Sequence, residues 1–309
     1  MLQALAVVGG NVLTLFLLMA VGFGFGRKGL LSDATLSQTS RILLYVVTPA
    51  IMITSFEVER TPESQAQLFT VLAAMTGLYV LYAALSLLLF PREGEAHRGI
   101  MRYASVYGNV GFMGLPLIQS IMGDQAMMIA VAGLAVFNIF SWTQGRALIG
   151  GRSQLALKNV VLNPGVLGFV LGLLIFFTGW RLPGPVNDAA HYLSSLNTPL
   201  AMVVIGGQIA QADLAQVFST KKLYLVSAVK LLAVPLLTAL ALAPFRLDPT
   251  VFVSGVILSG CPTAGVAGLF AQSMGRDGVF GARQVTLSTL LCIITLPLVA
   301  VLAQALAFK

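Results

Sequence analysis

A chain of 309 residues with 57% hydrophobic side chains, 9% charged ones and a mean hydropathy of +0.90 has too few polar groups to cover a water-facing globule. The composition places the chain in a membrane and excludes most soluble enzyme classes and any disordered reading. A net charge of +7 at pH 7 would point to nucleic acid in a soluble chain, but in a bilayer its sign is read loop by loop, and no nucleic-acid partner is expected.

A helix needs roughly 20 largely apolar residues to cross a hydrocarbon core about 30 Å thick, and ten stretches qualify. The first, 3–26, is followed by Arg27 and Lys28, whereas a cleaved signal peptide has its positive residues before the apolar core. The second, 35–56, carries Gln38 and Arg41 and then TPAIMITSF from Thr48. The third, 67–90, ends at Pro91; the fourth, 99–121, contains YGNVGFMGLP from Tyr107; the fifth, 125–148, holds Asn138. The sixth is 160–179, and the seventh, 187–210, contains His191, Asn197 and TPLAMVVIG from Thr198. The eighth, 222–244, has Lys230 inside it and ends at Pro244; the ninth, 250–273, contains SGCPTAGVAG from Ser259; the tenth is 280–306. The two cysteines, Cys261 and Cys292, lie within apolar stretches and support neither a disulfide framework nor a metal cluster.

Twelve of the 18 Lys and Arg residues fall in the first, third, fifth, seventh and ninth connections, and Arg60, Arg181, Arg246 and Lys309 fall on the other side. By the positive-inside rule the richer side is cytoplasmic and both termini face outward.

The chain also repeats itself. Thr48-Pro49 recurs as Thr198-Pro199, Gly108 and Gly123 recur as Gly260 and Gly275, and Pro91 recurs as Pro244, all at offsets between 150 and 153. A repeat of five helices is odd, so its second copy enters the membrane from the opposite side. The expected fold is an all-α polytopic membrane protein of ten transmembrane helices, arranged as 5+5 inverted repeats over 1–149 and 159–309. A cytoplasmic linker, 150–158, joins them.

Gly108, Gly111, Gly114 and Pro116 in the fourth span, and Gly260, Pro262, Gly265 and Gly268 in the ninth, disfavour continuous helix. In a single helix such residues read first as kinks or close-packing glycines; their duplication at one offset reverses that preference in favour of paired breaks. Crossed breaks would aim two half-helix N-termini at one region and favour an anion there. Asn109 and Thr263 supply uncharged donors and acceptors, and Cys261 reads as a packing residue. Asn138 faces either the same cavity or a neighbouring helix. Thr48-Pro49 and Thr198-Pro199 read as proline kinks eased by threonine.

All eleven acidic residues lie at or near span ends, which argues against a cation exchanger built on buried carboxylates. Lys230 lies roughly 12 Å into its span at about 1.5 Å per residue past Lys222, and either faces the site or snorkels to the interface. His191 reads as an interfacial hydrogen-bonder, and His97 sits in a charged loop without an evident partner. No nucleophile constellation, phosphate loop or metal-spaced cluster is present, so neither an enzyme nor a cofactor is expected.

At GNVGFMGLP and GCPTAGVAG the chain resembles the auxin efflux carrier family of permeases, in particular its bacterial members, over nearly its whole length. The resemblance implies a fold similar to bile-acid symporters and sodium/proton antiporters. Spans 1, 2, 6 and 7 would form a scaffold, and spans 3–5 and 8–10 a transport domain that holds the crossover. It further implies carriage of small organic acids such as malate, malonate or auxin-like acids, a bacterial inner (plasma) membrane location among lipid, and a homodimer through the scaffold. By this likeness Asn109 matches the family's substrate-contacting asparagine, with Pro116 and Pro262 at or near the crossovers. The chain lacks the long cytoplasmic loop of many plant auxin exporters. The expected substrate site is therefore Gly108, Asn109, Gly111, Pro116, Cys261, Pro262, Thr263, Gly265, Asn138 and Lys230. A coupling proton or sodium ion, a sodium/proton-type exchanger and a passive anion channel stay open at this point.

Overall fold

A computed structural model describes residues 2–151 and 160–307, with side chains from residue 9 onward, and it is all-helical over them. Arg152, Lys158, Lys309 and most of the expected linker lie outside the described residues. In chain order the longer helices are α1 (Leu2–Arg27), α2 (Asp33–Thr54), α3 (Pro62–Ser86), α4 (Glu95–Val106), α5 (Val110–Met122), α6 (Asp124–Gly150) and α7 (Pro164–Thr178). They continue with α8 (Gly184–Gln211), α9 (Lys221–Phe245), α10 (Pro249–Gly260), α11 (Val266–Ser273) and α12 (Gly278–Ala307). Among the described residues seven helices are long and apolar enough to cross a membrane: α1, α2, α3, α6, α8, α9 and α12. The stretches expected as fourth and ninth spans are each broken in two.

Local chemistry explains where these helices start and bend. Thr61 and Ser64 form a reciprocal capping box ahead of Pro62, which opens α3 at a position where its missing N–H costs nothing. Three prolines inside helices follow a widened turn: Leu43–Val47 before Pro49, Val110–Gly114 before Pro116, and Val229–Ala233 before Pro235. Proline lacks a donor and its ring crowds the carbonyl four residues back. In each case the preceding residue instead bonds five residues back, Thr48 to Leu43, Leu115 to Val110 and Val234 to Val229. The kink expected at Thr48 takes this form, and the Thr48 hydroxyl also donates to the Leu43 carbonyl at 2.9 Å.

Packing is closest where glycines let backbones touch. A Cβ on Gly206 of α8 would stand 1.9 Å from the Met19 carbonyl of α1, and one on Gly22 would stand 2.0 Å from that of Val203. On α7, Gly168 and Gly172 meet the backbone of α2 at Pro49 and Met52 in the same way. α10 is buried from Val251 to Gly260 and α6 from Met127 to Asn138. By contrast, α9 leaves Leu232, Leu236 and Leu240 exposed along one side, the pattern of a helix that faces lipid.

Candidate functional site at the helix crossover

Between α4 and α5 the backbone leaves the helix in an extended conformation at Tyr107; between α10 and α11 it does so at Cys261. The two unwound pieces cross at an antiparallel bridge between Gly108 and Thr263. The Asn109 N–H donates to the Pro262 carbonyl at 2.6 Å, and the Ala264 N–H donates to the Tyr107 carbonyl at 3.0 Å. Backbone groups released at membrane depth thus satisfy one another, which is the condition for breaking a helix there. Gly108 stands in tight space: a Cβ would lie 3.0 Å from both the Cys261 carbonyl and Lys230 Nζ.

Side chains lock the crossing. Thr263 Oγ1 donates to the Ala104 carbonyl of α4 at 3.0 Å, and its N–H donates to Ser288 Oγ of α12 at 3.1 Å. Asn109 Oδ1 accepts from the Phe112 N–H at 3.3 Å and so caps α5, while the residue keeps 8% of its surface exposed. Its Nδ2 group makes no hydrogen bond within the described residues, so it has donors to offer. Gly265 is exposed at the entrance to α11 with nothing within 4 Å of a built Cβ. Two helix N-termini, those of α5 and α11, therefore converge on the crossing with partial positive charge.

The other expected residues divide into several groups. Cys261 is buried and its Sγ faces the Ile257 carbonyl at 3.4 Å, so packing accounts for it. Lys230 is 1% exposed and donates to the Ser259 carbonyl at 2.7 Å; it turns inward and does not snorkel. Asn138 lies off the crossing, where its Nδ2 packs against Gly165 of α7 beside Asn163. Pro116 lies seven residues past Asn109 and lines a separate cavity of about 250 Å³ with Asn11, Thr14, Leu15, Gln119, Ser120 and Thr198. The Gly111 carbonyl accepts from Asn197 Nδ2 at 3.4 Å.

Asn11, Thr14 and Asn197 were not among the expected site residues. The available signal was a polar side chain within an apolar span, which alone does not say which neighbour it meets. The Tyr107 hydroxyl was also missed: it donates to Gln144 Oε1, at 2.5 Å, and Gln144 Nε2 continues to Ser86 Oγ at 3.2 Å. His97 corrects the expectation of a partnerless loop residue. It sits in the first turn of α4, 3.0 Å from Asp277, and stacks on Phe280 with ring centroids 4.5 Å apart.

A long-helix membrane protein built around two broken, crossing helices is the class this geometry defines. Comparison supplies the family: residues 7–159 and 152–300 match a family described as membrane transport protein, and the chain belongs to that auxin efflux carrier-like family. It is similar to an uncharacterized transporter of Methanothermobacter thermautotrophicus (strain Delta H), 26% identical over 295 residues that cover 93% of this chain and 96% of the relative. A Rhizobium meliloti (strain 1021) protein provisionally described as a malonate transporter is also 26% identical, over 94% of each chain. An uncharacterized transporter of Methanocaldococcus jannaschii is 24% identical over 63% of this chain and 67% of its own length.

Proposed function

We propose that this membrane transport protein is a secondary transporter of small organic anions, mono- or dicarboxylates of the malonate or malate kind, working by alternating access. The carrying observation is the convergence of two half-helix N-termini on Asn109, whose amide group is buried enough to be ordered and keeps its donors uncommitted. Partial positive charge and uncharged donors suit a carboxylate. The provisional description of the Rhizobium relative supports the same substrate class.

In this reading the chain consists of two inverted five-helix repeats with both termini outside. Helices α1, α2, α7 and α8 form a scaffold, and α3 to α6 with α9 to α12 move against it. The supporting facts are the breaks at corresponding places in each half and the division of the family match near residue 155.

Replacing Asn109 tests the site. Asn109→Ala should lower malonate uptake into proteoliposomes by about ten- to a hundredfold, the loss of one hydrogen bond to a charged group. Because Asn109 also caps α5, Asn109→Asp is the stricter variant: aspartate keeps the cap and repels the anion. Folded yield close to wild type with uptake abolished is the expected result; unchanged uptake by both variants, across malonate, malate and monocarboxylates, would remove Asn109 from the site.

A further inference from the structure

Among the described residues Lys230 is the most deeply buried charged side chain, and the anion-binding geometry does not use it directly. It lies in the widened turn Val229–Ala233 of α9 and is 1% exposed. Its Nζ donates to the carbonyl of Ser259, the next-to-last residue of α10, at 2.7 Å. The same nitrogen stands 3.0 Å from the point where Gly108 would carry a Cβ, and the Cys261 carbonyl is equally close to that point.

No carboxylate balances this ammonium among the described residues. The acidic side chains in ion pairs there are Asp277 with His97, Glu95 with Arg98, Glu57 with His191 and Glu93 with Lys222. What faces Lys230 is instead the C-terminal end of α10, which carries partial negative charge, together with carbonyls of unwound backbone. In broken-helix carriers, half-helix C-termini and unwound carbonyls are the ligands that take a coupling sodium ion. Here that set is already met by one positive charge, tethered to α9.

We propose that Lys230 is a resident cation that takes the place of a coupling sodium ion at the end of α10, so that the chain keeps its crossover assembled and carries its anion without sodium. The proposal deepens the transporter reading and draws its meaning from it, but its first test needs no substrate. Removing the ammonium and its stem leaves carbonyls and space, so the site should then accept a small cation from solution.

The measurement is the melting temperature of the full-length protein in detergent, in sodium chloride and in choline chloride at equal ionic strength. Wild type should melt at the same temperature in both salts. Lys230→Ala should melt lower in choline and regain roughly 5 °C in sodium, because a cation that binds only the folded state stabilises it. Lys230→Met, whose unbranched side chain refills the space without charge, should be destabilised in both salts alike. Wild type stabilised by sodium over choline overturns the proposal, and so does an alanine variant indifferent to the two salts. Should neither variant fold, wild-type malonate uptake decides: equal rates under sodium and choline support the resident cation, and a sodium requirement overturns it. Failure of malonate uptake altogether would count against the substrate reading, while the melting comparison would still judge Lys230.

Discussion

Asp277 shows how one side chain can tie two helix ends. Its Oδ1 accepts the Phe280 N–H at 2.8 Å at the start of α12, and its Oδ2 lies 3.0 Å from His97 Nε2 at the start of α4. The Phe280 N–H first, and then the His97 contact, hold this carboxyl below the usual carboxylate range. A depressed folded-state pKa gives stability that is present above the unfolded value, about 3.9, and is lost as pH falls through the folded one. Asp277→Asn should therefore melt below wild type at pH 7, and the gap should close as the pH is taken below about 4; a gap constant from pH 7 to 3 would show that ionisation of Asp277 does not matter. Half of this arrangement was legible in the sequence. Asp277 three residues before Phe280 is an ordinary helix-start pattern, but His97 lies 180 positions away, and only folding brings it there. The same holds at the crossing: Asn109 was visible as a polar residue among glycines, whereas the choice of Ser259 as acceptor for Lys230 is made by the path of α10.

For whole elements, glycine decides how close helices come. Gly206 and Gly22 place the backbones of α8 and α1 in direct contact, and neither has room for a methyl group. Overpacking of this kind costs about 1–3 kcal/mol, so Gly206→Ala should lower the melting temperature measurably. Gly24 has nothing within 4 Å of a built Cβ, and Gly24→Ala is the matched control expected to melt as wild type does or slightly above. If both variants melt as wild type, the α1–α8 contact is looser than the geometry states. The breaks after α4 and α10 were readable in advance, because clustered glycine and proline penalise helix wherever the chain goes. The widened turn before Pro235 was not, since proline alone does not say whether a helix will kink, widen or stop. Nor did the glycines of α1 declare their partner, because a small residue marks a close approach without naming what approaches.

Taken as a molecule, the chain places polar contacts where the proposed scaffold and moving domain meet. Asn11 Nδ2 of α1 donates to the Ser120 carbonyl of α5 at 2.7 Å, and Asn197 of α8 reaches the Gly111 carbonyl of the same helix. These few bonds, beside a cavity of about 250 Å³, are the kind of contact that a rigid-body movement would break and remake. Cysteines introduced at Asn11 and Ser120 and joined by a short bifunctional reagent should arrest malonate exchange in proteoliposomes, and a reducible reagent should let it resume on reduction. Full activity with the link in place would mean that α1 and α5 do not separate during transport.

By itself the sequence determined that the chain lives in a membrane, where its apolar stretches fall, and that two of them are interrupted by glycine and proline. Those properties follow from composition and backbone preference, which act locally and are written residue by residue. Tertiary structure alone decided which broken ends meet, that Gly108 pairs with Thr263, and that the Lys230 ammonium turns inward to a carbonyl 29 residues away. Such pairings depend on distances between segments far apart in the chain, and these become fixed only when the helices pack.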